Sequence, residues 1–176
     1  GTSAFLPSVD AAAWLAKLSA EDRERAVVHV YQAWTTGRHR LSDNAPPGVV
    51  RVQPAAKWPF LENGFSQRYY VENVPAALDA PGEWVATGNS LTYLRRADDG
   101  SGPLTAQLPV LEHLVQVKGG PTGRWVQHLQ FKGLRFEYTR LVVPPRGGII
   151  DSQAALGSPA AMEVDGARRL LIEDCQ

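Results

Sequence analysis

Residues 126–139, "VQHLQFKGLRFEYT", and residues 162–175, "MEVDGARRLLIEDC", share one rhythm: short runs of alternating apolar residues broken at a small or polar corner. Laying Phe131-Lys132-Gly133-Leu134 over Ile172-Glu173-Asp174-Cys175 sets Leu129 on Leu170, 41 residues apart. A third run, "LVQVKGG" at residues 114–120, has the same texture. Short strands with apolar residues facing one way and corners at Gly or Asp are what stacked β-coils require, because each coil buries its apolar side against its neighbour. The repeat predicts parallel pairing of the two segments, with Leu129 beside Leu170, since a slip of one residue would turn every apolar side chain outward.

Upstream, the period is that of ordinary antiparallel strands. "VVHVYQAW" from Val27 is β-branched and aromatic, with Val28, Val30 and Gln32 alternating with His29, Tyr31 and Ala33. "DNAPPGVVRVQP" supplies a Pro-Pro-Gly turn and a strand over residues 49–53, and "QRYYVENV" predicts another over residues 67–74. In "ALDAPGEWVATGNSLTYL", residues 77–94, Pro81-Gly82 ends a short helical turn begun at Pro75, and residues 83–86 face residues 91–95 across a Thr-Gly-Asn-Ser turn. Trp84 and Tyr93 are the expected packing anchors of that hairpin. Before all of this, Asp10 is positioned to cap a helix that lines up Ala11, Trp14, Leu15 and Leu18, and Ser19-x-x-Asp22 resembles a second helix start.

Bulk composition sets the outer limits. A chain of 176 residues with 44% hydrophobic and 20% charged residues is long enough for a packed core, and 16 Gly with 13 Pro signal many turns. Eighteen Lys plus Arg balance eighteen Asp plus Glu, so no global field argues for a nucleic acid or an anionic membrane, and neutral ligands fit better. A lone Cys175 excludes an internal disulfide framework and a cysteine-based zinc site. His29, His39, His113 and His128 show no metal-ligand spacing, no cofactor motif is present, and no "GxSxG" elbow supports a serine nucleophile. No apolar run approaches the roughly 20 residues of a membrane span, and no signal-peptide pattern opens the chain. A start at Gly1 and an apolar pattern still running in "ARRLLIEDCQ" read as an excised fragment.

Taken together, "AWTTGRHRL", "QRYYVENVPAALDAPGEW", "LTYL" and "VQHLQFKGLRFEYT" with "AMEVDGARRLLIEDC" resemble bacterial right-handed parallel β-helix proteins of the carbohydrate-active kind. The resemblance runs from about Trp34 to the end. It implies a mainly β fold in which residues 1–110 form an inserted antiparallel β-rich module with short N-terminal helices, and residues 111–176 begin a parallel β-helix. It implies a glycoside hydrolase as the parent protein, a carbohydrate as its partner, and a secreted or periplasmic location. A non-catalytic carbohydrate-binding or structural β-solenoid module is the alternative. A polysaccharide lyase would need a base and a cation near an acidic sugar, which the neutral balance does not favour.

Glycoside hydrolysis uses two carboxyl groups, about 5 to 5.5 Å apart for retention and about 6.5 to 9.5 Å for inversion. Glu137, Asp151, Glu163, Asp165, Glu173 and Asp174 lie in the region of interest, yet no motif singles out a catalytic pair, and the resemblance puts the acids on later coils. Candidate sugar contacts are Asp151 and Gln153 in the excursion "RLVVPPRGGIIDSQAALGSPA", where solenoids place function, and the cluster Trp34, Arg38 and His39.

Overall fold

The structure, a computed structural model, describes residues 1–42, 45–60, 67–145, 147–150, 153–154 and 157–176. It is mainly β with few helices. The chain divides into two compact units, the first comprising Gly1–Leu104 with Val143–Gly157, the second Thr105–Val142 with Ser158–Gln176.

Unit 1 opens with strand β1 (Ala4–Phe5) and two short helices, α1 (Val9–Ala16) and α2 (Ala20–Arg25). Ser8, not Asp10, caps α1: its extended backbone lets the hydroxyl accept the Ala11 N–H at 3.3 Å, while Asp10 falls in the first turn, where its charge suits the helix dipole. Ser19 caps α2 and accepts the Asp22 N–H at 3.0 Å, as the Ser-x-x-Asp spacing requires. Leu15 and Leu18 turn inward and Trp14 packs against the same core.

That core lies against one face of a sheet built from β1, β2 (Val27–Tyr31), β3 (Thr36–Leu41), β4 (Val50–Gln53) and β5 (Arg68–Glu72) in the order β1-β4-β3-β2-β5, all antiparallel. Val28 and Val30 join Phe5, Val52 and Phe60 beneath it. Alternation alone would leave the other side of β2 wet, yet Val27 and His29 are buried too. Because β2 is an interior strand, long side chains from β3 and β5 lie over that side as well. Strand β4 ends before Pro54, which has no N–H to give, and beyond it Arg38 exchanges backbone hydrogen bonds with Ile149, each 2.8 Å long.

A hairpin of β6 (Trp84–Thr87) and β7 (Ser90–Tyr93) turns at Gly88, whose φ of 57° suits the first central position of a two-residue loop. The preceding turn is tied by Glu83, whose carboxylate accepts the N–H groups of Asp79 at 2.9 Å and Ala80 at 3.1 Å, bonds that hold its pKa below the ordinary carboxylate value. Trp84 is not the expected anchor: it is 60% exposed, and Val85 at 4% takes the inward position. Period two fixes that neighbours face opposite ways but not which one faces in. Tyr93, opposite Trp84, is instead held by its hydroxyl, which donates to Asp99 at 2.7 Å.

Unit 2 contains β8 (Val115–Lys118), β9 (Val126–Gln127), β10 (Gln130–Lys132), β11 (Met162–Asp165), β12 (Ala167–Arg168) and β13 (Leu171–Glu173). They pair in parallel as β8 with β11, β9 with β12 and β10 with β13. The expected register is the one found, Val126 opposite Ala167 and Gln130 opposite Leu171, and the Leu171 N–H reaches the Leu129 carbonyl at 3.0 Å. Corners repeat with it: His128 matches Arg169, and Gly133 matches Asp174, all four in the left-handed region. Extra residues in the first coil are taken up at 119–124, a loop closed by a bridge between Gly120 and Arg124.

Unit 2 holds three two-stranded parallel ladders, but among the described residues neither a closed solenoid nor the parallel β-helix expected to begin at residue 111 is formed, and the pairing in the rest of the chain is mostly antiparallel. Among the described residues of unit 2, Val117 is the buried hydrophobic, while Leu129, Val164, Leu171 and Ile172 are exposed. Two coils give each apolar side chain too few neighbours to close over it.

Candidate functional site

The side of the unit 1 sheet turned away from the core is ordered by strand register. Three cross-strand rows run from β5 through β2 to β3: Glu72, Val27, Arg40; then Tyr70, His29, Arg38; then Arg68, Tyr31, Thr36. The row order follows from pairing alone, since residues directly opposite on antiparallel strands share a face.

Each row holds a distinct contact. Arg40 is a clamp, its guanidinium donating to the carbonyls of Arg25 at 2.7 Å, Val143 at 2.7 Å and Pro144 at 3.1 Å. His29 is buried, with Nε2 2.7 Å from Glu72 Oε1 but not aligned for a hydrogen bond. Tyr70 lies flat on the His29 ring, centroids 4.3 Å apart and planes at 15°, and Tyr31 stands 5.9 Å from Tyr70. Burial and then the Glu72 charge push the Tyr70 phenol up, and Arg38 pulls it back down. The hydroxyl therefore stays protonated near neutrality, able to donate and accept. Arg68 sits over the Tyr31 ring, 5.5 Å from its centroid. Both tyrosines remain open to solvent, Tyr31 at 41% and Tyr70 at 42%.

The cluster proposed from sequence divides. Arg38 belongs to this outward face, whereas His39, the next residue on β3, points into the core and is fully buried. Its Nδ1–H donates to the Pro54 carbonyl at 2.8 Å, the ring meets Phe60 edge-on, and Nε2 has no hydrogen-bond partner among the described residues. A sealed ring of this kind supports the sheet from within. Trp34 lies at the β2–β3 connection, 63% exposed, with its ring 5.5 Å from that of Trp58 and the planes at 63°. Gln32 steadies the pair by donating to the Trp58 carbonyl at 2.6 Å. Gln153 is exposed, and Asp151 lies outside the described residues.

Burial drives the pKa of His39 down, more than the Pro54 hydrogen bond raises it. With the native value below the unfolded 6.5, the unfolded chain binds the extra proton first as pH falls, so stability is full above about 6.5 and declines below it. The midpoint of thermal unfolding is expected to drop between pH 7.5 and 5.5. In His39→Asn the drop should be smaller, and an equal drop in both proteins would remove His39 as its source.

In unit 2, Glu163 and Glu173 meet their register partners Gln116 and Lys132, while Glu137 meets a residue of its own segment. Glu163 accepts from Gln116 at 2.8 Å and has Lys118 at 3.7 Å; Glu173 meets Lys132 at 3.1 Å; Glu137 meets Arg135 at 3.5 Å. Asp174 is a corner, and Asp165 shares a side of β11 with Glu163. Among the described residues no three His, Cys, Asp or Glu side chains gather as a metal site, and no helix is long and apolar enough to cross a membrane.

The sequence reading missed Tyr31 and Tyr70. A usable signal exists in "RYYVE", where Tyr69 and Val71 share a parity that matches Val28 and Val30, leaving Tyr70 with His29 on the other side. Compared with family models, curated proteins and solved structures, the chain matches none.

Proposed function

We propose that this chain is part of a carbohydrate-active protein of the right-handed parallel β-helix kind, a glycoside hydrolase when whole and secreted or periplasmic, and that these residues hold the glycan. The observation that carries the proposal is the exposure of two ordered aromatic pairs in unit 1, Trp34 with Trp58 and Tyr31 with Tyr70. Fixed aromatic rings offer apolar faces to sugar C–H groups at little entropic cost, and their polar tips hydrogen-bond hydroxyls. The repeated corners and parallel register of unit 2 support the β-helix assignment.

Hydrolysis within this chain is the second reading, favoured by Glu163 and Asp165. Two residues apart on β11, they stand on one side of the strand with α-carbons about 6.5 Å apart. Against it, Glu163 is already engaged by Gln116 and Lys118.

Calorimetric titration with a panel of oligosaccharides, beside release of nitrophenol from aryl glycosides, separates the two. Expected is saturable binding without turnover, with affinity lowered roughly tenfold, about 1.4 kcal/mol, in Trp34→Ala. Turnover abolished by Glu163→Gln would place the chemistry in unit 2, and no binding to any saccharide would end the carbohydrate assignment.

A further inference from the structure

We propose that the outward face of the β5–β2–β3 sheet is a subsite for an acidic saccharide, taking the carboxylate of a uronic acid residue on Arg38 and Arg68 and its ring on Tyr31 and Tyr70. The proposal rests on the carbohydrate reading above and adds a class of ligand to it.

Charge accounting on this face favours an anion. Of its three arginines, Arg40 spends its guanidinium on three backbone carbonyls. Glu72 is drawn to His29, and its charge also acts on Arg40. Arg38 and Arg68 have no ion pair among the described residues, although each borders a tyrosine: Arg38 acts on Tyr70, and Arg68 lies over Tyr31. The face therefore carries two guanidinium groups without a carboxylate partner among the described residues, in a chain whose formal net charge is zero.

The chemistry of the partner follows. A guanidinium presents parallel N–H donors that match the two oxygens of a carboxylate, and such charge-assisted bonds are about twice as strong as neutral ones. A neutral sugar laid on the same rings would partly desolvate both cations and return only hydroxyl contacts. Tyr70 is pre-set for the task because His29 fixes its plane from behind while 42% of the residue stays open. Arg68, 5.5 Å from the centroid of the Tyr31 ring, brings a second cation to the same face. Arg38 is anchored through its backbone pairing with Ile149, which a side-chain substitution leaves in place.

The test is titration calorimetry of the whole 176-residue chain with tetragalacturonate and, at equal length, uncharged cellotetraose, at low and moderate salt. Tetragalacturonate is expected to bind at least tenfold tighter, an advantage that shrinks with added salt and is lost in Arg38→Gln and in Arg68→Gln. Arg38→Lys keeps the charge without the fork and should recover only part of it. Thermal melts confirm that each variant folds. Equal affinity for the two ligands would overturn the acidic preference while leaving carbohydrate binding intact. Failure of both ligands, with every other saccharide in the panel, would overturn both proposals. Tight uronate binding unaffected by either glutamine variant would put the site on another surface.

Discussion

Val30→Asp is expected to leave unit 1 unfolded in water at 25 °C. Val30 is fully buried at the centre of the sheet, between Tyr69 on β5 and Gly37 on β3, with the main apolar cluster beneath it. A carboxylate there has no partner and must either lose its solvation or take up a proton, a cost beyond about 4 kcal/mol. Domains hold only about 5 to 15 kcal/mol in reserve. Far-UV circular dichroism and a urea titration read the outcome directly. A cooperative transition within about 0.5 kcal/mol of the parent chain would mean that the sheet does not bury this face.

Gly119→Ala should be the most damaging small change in unit 2. A methyl group at Gly119 would fall 2.1 Å from the Gly166 carbonyl oxygen and 3.0 Å from that of Arg124, and both obstacles are backbone. No rotamer change relieves such a clash; the two coils would have to separate where the Gly119 N–H binds Asp165 and the Val126 N–H binds Gly166. The cost is expected at the upper end for overpacking, about 3 kcal/mol, with hydrogen exchange accelerated at Gly119 and Val126. Gly102→Ala is the control, since a methyl there meets nothing within 4 Å. Equal protection in both variants would contradict the close approach of the coils.

The parts of this fold that were legible beforehand are those encoded by local periodicity. The Leu129 and Leu170 alignment was readable because corners recur with the strands, Gly133 with Asp174, and a corner residue fixes register as well as direction. The hairpin after Pro81 was readable because its turn chemistry is local. What stayed hidden depends on phase or on pairing partners. Trp84 and Val85 alternate whichever of them faces in, and hydrophobic size argued for the wrong one. In "TGRHRL", His39 shares the parity of Leu41, which places it in the core, while Arg38 is sent to the opposite face.

The candidate site was harder still. Tyr70, His29 and Arg38 come from three strands and become one row only after β2 has chosen β3 and β5 as neighbours, a tertiary choice that no single segment announces. Global neutrality is silent about this face: it sums over the chain, whereas the three rows gather Arg38, Arg40 and Arg68 with Glu72 as the one acid in them.

The Arg40 clamp has a consequence for how the chain matures. Its guanidinium reaches carbonyls 103 and 104 positions further along the sequence, and Arg38 finds its backbone partner in the same late segment. During synthesis at about 5 to 20 residues per second, roughly 5 to 20 s separate the appearance of Arg40 from that of Val143 and Pro144. The helices and the β2–β3 hairpin form on the microsecond scale, and β4 and β5, which steady them, are synthesised well before Val143. For that interval β3 has an unsatisfied edge at Arg38, the kind of strand edge to which a nascent neighbour or a chaperone can add. Variants that weaken Val143–Gly157 docking should therefore lower soluble yield more than they lower the melting temperature of the protein that survives, because their damage falls in the seconds before the chain is finished.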